Sequence, residues 1–73
     1  MRELTREEKN ANAEVERLRE TRGAIALRIT RQYIRTGEVG TDLVAEFGIL
    51  DTLMGYAEQR AALATARAEG RFE

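Results

Sequence analysis

Arginine is the residue of this chain best suited to chemistry. Arg22, Arg28, Arg31 and Arg35 all fall within residues 21–36, a segment that holds no acid. Arg28, Arg31 and Arg35 are three and four residues apart, so a helix sets them on one face. Guanidinium forks take the oxygens of phosphate groups in pairs. Tyr33 lies inside the block and Tyr56 further along, and a phenol ring stacks on a nucleobase. These six residues are the candidate anion or ligand-binding set. Two plainer uses compete with that one. The block can be neutralised by acids of the folded chain. Arg22, which interrupts an apolar stripe, can snorkel or pair at an interface.

Catalysis and metal binding have less to work with. The chain has no His and no Cys. General acid–base work would then fall to carboxylates, Tyr or Lys9. Glu7 with Glu14 and Asp51 with Glu58 are each seven residues apart, the normal pattern of a solvated helix face. No calcium-loop spacing is present. The expectation is a protein without catalytic residues, metal or cofactor.

The elements that must position these side chains are helices. Proline is absent and 34% of the residues are charged, which favours long uninterrupted helices. Thr5-Arg6-Glu7-Glu8 fits a capping box, with Thr5 as N-cap. Ala11, Val15, Leu18, Arg22, Ile25 and Ile29 then repeat at steps of four and three, continued by Gln32 and Thr36. Gly37 suits the left-handed position past a helix end, and Thr41 or Asp42 suits the next N-cap. Leu43, Phe47, Leu50, Met54, Ala57, Ala61, Ala64 and Ala68 form a second four–three seam. Ile49, Leu53, Tyr56 and Leu63 form another beside it. Ala45, Gly48, Thr52 and Gly55 make a small-residue stripe. Gly48 and Gly55 share a face and suit close approach of a backbone or ligand. Alternatively, Gly48 ends one short helix and Asp51 caps the next.

Thr41 to Ala57 is therefore apolar on nearly every side. A helix of that kind is buried from several directions, and one partner helix covers only a stripe of roughly 100°. Seventy-three residues make one small domain, marginal alone unless stapled or oligomeric. A second copy or another protein is expected to cover the remainder.

Charge is segregated along the chain. Residues 1–20, 21–36, 37–59 and 60–73 carry net charges of −1, +4, −5 and +1. A hairpin folded at 37–40 lays the basic segment along the acidic one. Arg35 with Asp42 or Glu46, and Arg28 with Asp51, are the expected pairs.

Two resemblances bear on function. Leu43-Val44-Ala45-Glu46-Phe47-Gly48-Ile49, followed by Met54 and Ala57, resembles the helix-turn-helix pattern of DNA-binding proteins, with Gly48 at the turn. The position of its recognition helix departs from that pattern: Leu50, Asp51, Thr52, Gly55 and Tyr56 offer no base-reading side chain, and Asp51 repels phosphate. In size and style the chain also resembles small virus-encoded oligomeric proteins that sequester signalling nucleotides between subunits. That likeness implies a cyclic-nucleotide ligand, held by the arginines, the two tyrosines and the Gly48/Gly55 stripe.

The expected architecture is all-α, a single domain over 1–73. It comprises a helix at 5–36, a turn at 37–41, a helical region at 42–69 that is continuous or broken near Gly48–Asp51, and a frayed tail at 70–73. The hairpin is expected to assemble into a helical-bundle oligomer. Its interface and core residues are Val15, Leu18, Ile25, Ile29, Leu43, Phe47, Leu50, Leu53 and Met54. The expected function is a small non-catalytic interaction, adaptor or inhibitor protein in the cytoplasm. Its partners would be itself, a second protein or a small phosphate ligand, with nucleic acid disfavoured and no membrane segment.

Overall fold

The computed structural model describes residues 2–70. Two helices, α1 (Arg6–Thr36) and α2 (Thr41–Ala68), pack side by side as a hairpin. The molecule is a rod 52 Å long and 14 Å at its thinnest. That length is close to the rise of α1, whose 31 residues span about 46 Å. The expected tail residues Arg71, Phe72 and Glu73 lie outside the described residues.

Local chemistry fixes both ends of α1. The Thr5 hydroxyl accepts from the Glu8 N–H at 3.1 Å, and a Glu8 carboxylate oxygen accepts from the Thr5 N–H at 3.0 Å. Two amides that the helix cannot satisfy are thereby satisfied reciprocally. At the other end Gly37 has φ 77°, and its N–H donates to the Tyr33 carbonyl at 2.7 Å. Only glycine takes that φ without a steric penalty.

The cap of α2 falls on Gly40, not on Thr41 or Asp42. A side chain from α1 accounts for the shift: the Gln32 Oε1 accepts the Gly40 N–H at 2.7 Å. The turn is anchored back onto α1, and the helix begins one residue earlier. Asp42 then sits in the first turn of α2, where its charge complements the helix dipole.

α2 is unbroken through Gly48 and Asp51. The Thr52 hydroxyl donates to the Gly48 carbonyl at 3.1 Å within the helix. The turn that a helix-turn-helix requires at Gly48 is not formed.

One apolar seam of α2 meets one stripe of α1. Val15 and Ile25 from α1 and Met54, Ala57 and Ala64 from α2 are buried. Leu18, Ile29, Leu43, Phe47 and Leu50 are half-buried around them. Alanine at 57, 61 and 64 lets the second half of α2 approach the first half of α1 closely. Leu53, expected at the interface or core, is 45% exposed in the single chain and outside the seam that meets α1. It stands one position before Met54, about 100° round the helix, and α1 covers only the Met54 side.

Electrostatic ties set the register. Arg22 binds Asp51 at 2.6 Å, Arg60 binds Glu14 at 2.7 Å and Arg67 binds Glu7 at 2.8 Å. The expected Arg28–Asp51 and Arg35–Asp42 or Arg35–Glu46 pairs are not formed. Asp51 lies level with Arg22, and Arg28 is about 9 Å further along α1 at 1.5 Å per residue. These exposed pairs contribute 0–1 kcal/mol apiece, roughly, so they orient the helices more than they stabilise them.

Candidate functional site

The outer face of α2 carries an exposed stripe whose apolar centre α1 does not cover. Asp42, Glu46, Ile49, Leu53, Tyr56, Arg60, Leu63 and Arg67 follow one another at steps of four and three, and all are exposed. Ile49 and Tyr56 are each 61% exposed. Beside them Ala45, Gly48 and Thr52 complete a shallow, mostly apolar groove of about 370 Å³ with Ile49 and Leu53. A Cβ built on Gly48 or Gly55 meets nothing within 4 Å. The close approach expected at these two glycines is therefore not made within the chain. Each costs its helix about 1 kcal/mol relative to alanine, and no intrachain contact offsets that.

The stripe has a polarity of its own. Its acids, Asp42 and Glu46, lie toward the start of α2 and its arginines, Arg60 and Arg67, toward the end. Ile49, Leu53 and Tyr56 lie between them.

A second exposed region lies near the turn. Arg28, Arg31, Gln32, Arg35 and Leu43 line a recess of about 440 Å³. Among the described residues, none of the ion pairs involves Arg28, Arg31 or Arg35. The other candidate ligand residues are elsewhere. Arg22 is engaged with Asp51. Tyr33 and Tyr56 are exposed and do not line the recess. Tyr56 stands 13 residues beyond Leu43, about 20 Å along α2, so no base-stacking platform adjoins the arginines.

A third feature was legible only in part. Glu8, singled out as a capping residue, is the one buried charged side chain among the described residues, at 1% exposure. Arg2 forks onto it at 2.6 and 2.9 Å, and the Thr65 hydroxyl of α2 donates to it at 3.0 Å. Arg2 also reaches Glu69 at 3.7 Å. These groups screen the carboxylate from water, and their hydrogen bonds to the charged form outweigh its desolvation. Its pKa is lowered from 4.5 to about 2, first by the Arg2 hydrogen bonds and then by the Thr5 amide. Glu8 thus ties the start of α1 to the end of α2, and the same interactions make it a weaker base.

The sign of the pH dependence follows from that shift. A carboxyl with a depressed folded pKa stabilises the fold fully above its unfolded pKa and loses that contribution on acidification. Glu8 should stabilise the hairpin above about pH 4.5 and progressively less toward pH 2. Urea midpoints measured across this window should fall with acid in the native chain. Glu8→Gln should lie below it at neutral pH and converge with it near pH 2. Parallel curves for the two proteins would show that the carboxylate is not the tie.

Among the described residues no group of His, Cys, Asp and Glu is placed to hold a metal ion, and no helix is long and apolar enough to cross a membrane. Comparison with protein-family models, with curated proteins and with solved structures finds no match to this chain.

Proposed function

We propose that this chain is a small non-catalytic interaction protein whose hairpin pairs with a second copy of itself through the outer face of α2. The observation that carries this reading is the exposed stripe from Asp42 to Arg67, with its apolar centre at Ile49, Leu53 and Tyr56. An uncovered apolar patch of this kind, rimmed by charge, marks an interaction site.

The charge layout favours a copy of the same chain as the occupant. Antiparallel pairing of two α2 helices about Leu53 sets Ile49 near Tyr56 and Glu46 level with Arg60, which also holds Glu14 of its own hairpin. Parallel pairing sets Glu46 against Glu46 and Arg60 against Arg60, which is repulsive. The stripe is self-complementary in one direction only, as a two-fold interface requires. Gly48 and Thr52, at the edge of the contact, leave room for the facing backbone.

The non-catalytic half of the reading rests on two points. The sequence has no His or Cys to act as nucleophile or base. The carboxyl with a displaced pKa, Glu8, moves downward, away from the range a general acid or base needs.

Light scattering across a concentration series tests the proposal. The expected mass is twice 8.3 kDa at high concentration, falling toward the single-chain value on dilution. A constant 8.3 kDa up to millimolar protein would sink it.

A further inference from the structure

We infer that the recess formed by Arg28, Arg31, Gln32, Arg35 and Leu43 binds a phosphate-bearing ligand, with a diphosphate group as the best-matched chemistry. The site is separate from the α2 stripe and stands without the pairing proposed above.

The first observation is where the arginines without a carboxylate gather: Arg6 and Arg17 stand apart on α1, whereas Arg28, Arg31 and Arg35 lie together. Arg2, Arg19, Arg22, Arg60 and Arg67 each hold a carboxylate of the chain. Arg28, Arg31 and Arg35 hold none, although Asp42 and Glu46 begin the facing helix. Three uncompensated cations follow one another on one helical face, three and four residues apart. An anion seated between them would be attracted by all three.

The second observation is the lining. No carboxylate lines the recess. Gln32 contributes a donor, and its orientation is determined. The Gly40 N–H can only donate, so the Gln32 Oε1 must face it, as it does at 2.7 Å. The Nε2 amino group is the remaining polar atom of that side chain, and it can only donate. Every side-chain polar atom that Arg28, Arg31, Arg35 and Gln32 have available for a ligand is therefore a donor, and Leu43 supplies an apolar wall. A donor-only recess selects a ligand rich in acceptors, and phosphate oxygens match guanidinium forks in pairs.

The third observation concerns size. From Arg28 to Arg35 α1 rises about 10.5 Å, with Arg31 between. That spread exceeds one phosphate and suits two joined ones, approached by forks from both ends. No tyrosine lines the recess, so recognition is of the charged group and not of a base. An extended nucleic-acid backbone is disfavoured by the acids of residues 37–59, which carry five negative charges and no positive one.

Titration calorimetry of the full chain with inorganic pyrophosphate and, separately, inorganic phosphate is the test. Pyrophosphate should bind the more tightly. Arg31→Ala should weaken it by about tenfold or more, the loss of a charge-assisted bond pair. Arg31→Lys should not fully restore it, because a point charge lacks the fork. Arg17→Ala removes the same charge from an exposed position of α1 outside the recess and should change affinity less than about twofold, the scale of general electrostatics. Flotation with phosphatidylcholine vesicles, with and without a phosphoinositide, distinguishes a lipid headgroup from a soluble source of the same group. An Arg31-dependent signal in either arm supports the site. Equal losses for Arg17→Ala and Arg31→Ala, or no binding of either probe at millimolar concentration, would overturn it. Light scattering of Arg31→Ala should give the mass of the native chain, which separates this result from the pairing of α2.

Discussion

Met54→Ala should lower the free energy of unfolding by about 2–5 kcal/mol, the range of large-to-small truncations in a packed core. Met54 is 4% exposed and sits midway along the seam. Its neighbours on that seam are half-buried Leu50, four residues before it, and buried Ala57, three residues after it. Met54 is the last large side chain before the seam turns to alanine, and Ala57 cannot repack to fill the cavity it leaves. In so short a chain the total stability is a few kcal/mol on the scale of small domains, so this one loss approaches the whole. Urea denaturation followed by circular dichroism measures it, at fixed protein concentration because pairing would add to the apparent stability. Met54→Leu, which conserves volume, should cost less than about 1.5 kcal/mol. Phe47→Ala should fall below the 3–5 kcal/mol expected of a fully buried aromatic residue, because Phe47 is only half-covered by α1. A loss under about 1 kcal/mol for Met54→Ala would move the centre of the core elsewhere.

Much of this architecture is legible from the residues because its determinants are local. Thr5 and Glu8 mark the start of α1 by the spacing of a capping box ahead of an apolar stripe. Gly37 marks its end by a φ that other residues avoid. The two seams that meet, Val15 to Ile29 and Leu43 to Ala68, are readable as alternating steps of four and three. What periodicity cannot decide is which seam of α2 faces α1. Met54 and Leu53 head neighbouring seams of similar hydrophobicity, and tertiary packing chose the one that continues into alanines, where two helices approach most closely.

The charges were harder to place for a different reason. Ion pairing depends on axial level as well as sign, and a shift of a turn or two changes every partner. Arg22 took Asp51 and left Arg28 without a carboxylate. The role of Glu8 was half visible: capping needs only Thr5, whereas burial needs Arg2 folding back and Thr65 arriving from the far end of the chain. Gln32 as the anchor of the turn is a contact between residues eight apart, which no helical period announces. The continuity of α2 through Gly48 likewise depends on the whole helix lying along α1, a tertiary effect that outweighs the weak helix preference of one glycine.

Leu53→Glu should convert the proposed pair into single hairpins. At the two-fold centre the substitution faces two carboxylates toward each other and strips the apolar contact between them. Truncations at the centre of an interface commonly cost 2 kcal/mol or more, and a buried like-charge pair adds to that, so the dissociation constant should rise on the order of a hundredfold. Leu53 is 45% exposed in the single chain, so the change should leave each hairpin helical by circular dichroism. That separates loss of pairing from loss of fold, a distinction that Met54→Ala cannot make. Ile34→Glu is the matched control. Ile34 is 77% exposed on the outer side of α1, and the same new charge there should leave the mass unchanged. If instead Ile34→Glu dissociates the assembly and Leu53→Glu does not, the copies meet through α1. The self-complementary charge pattern of α2 would then have no bearing on how they pair.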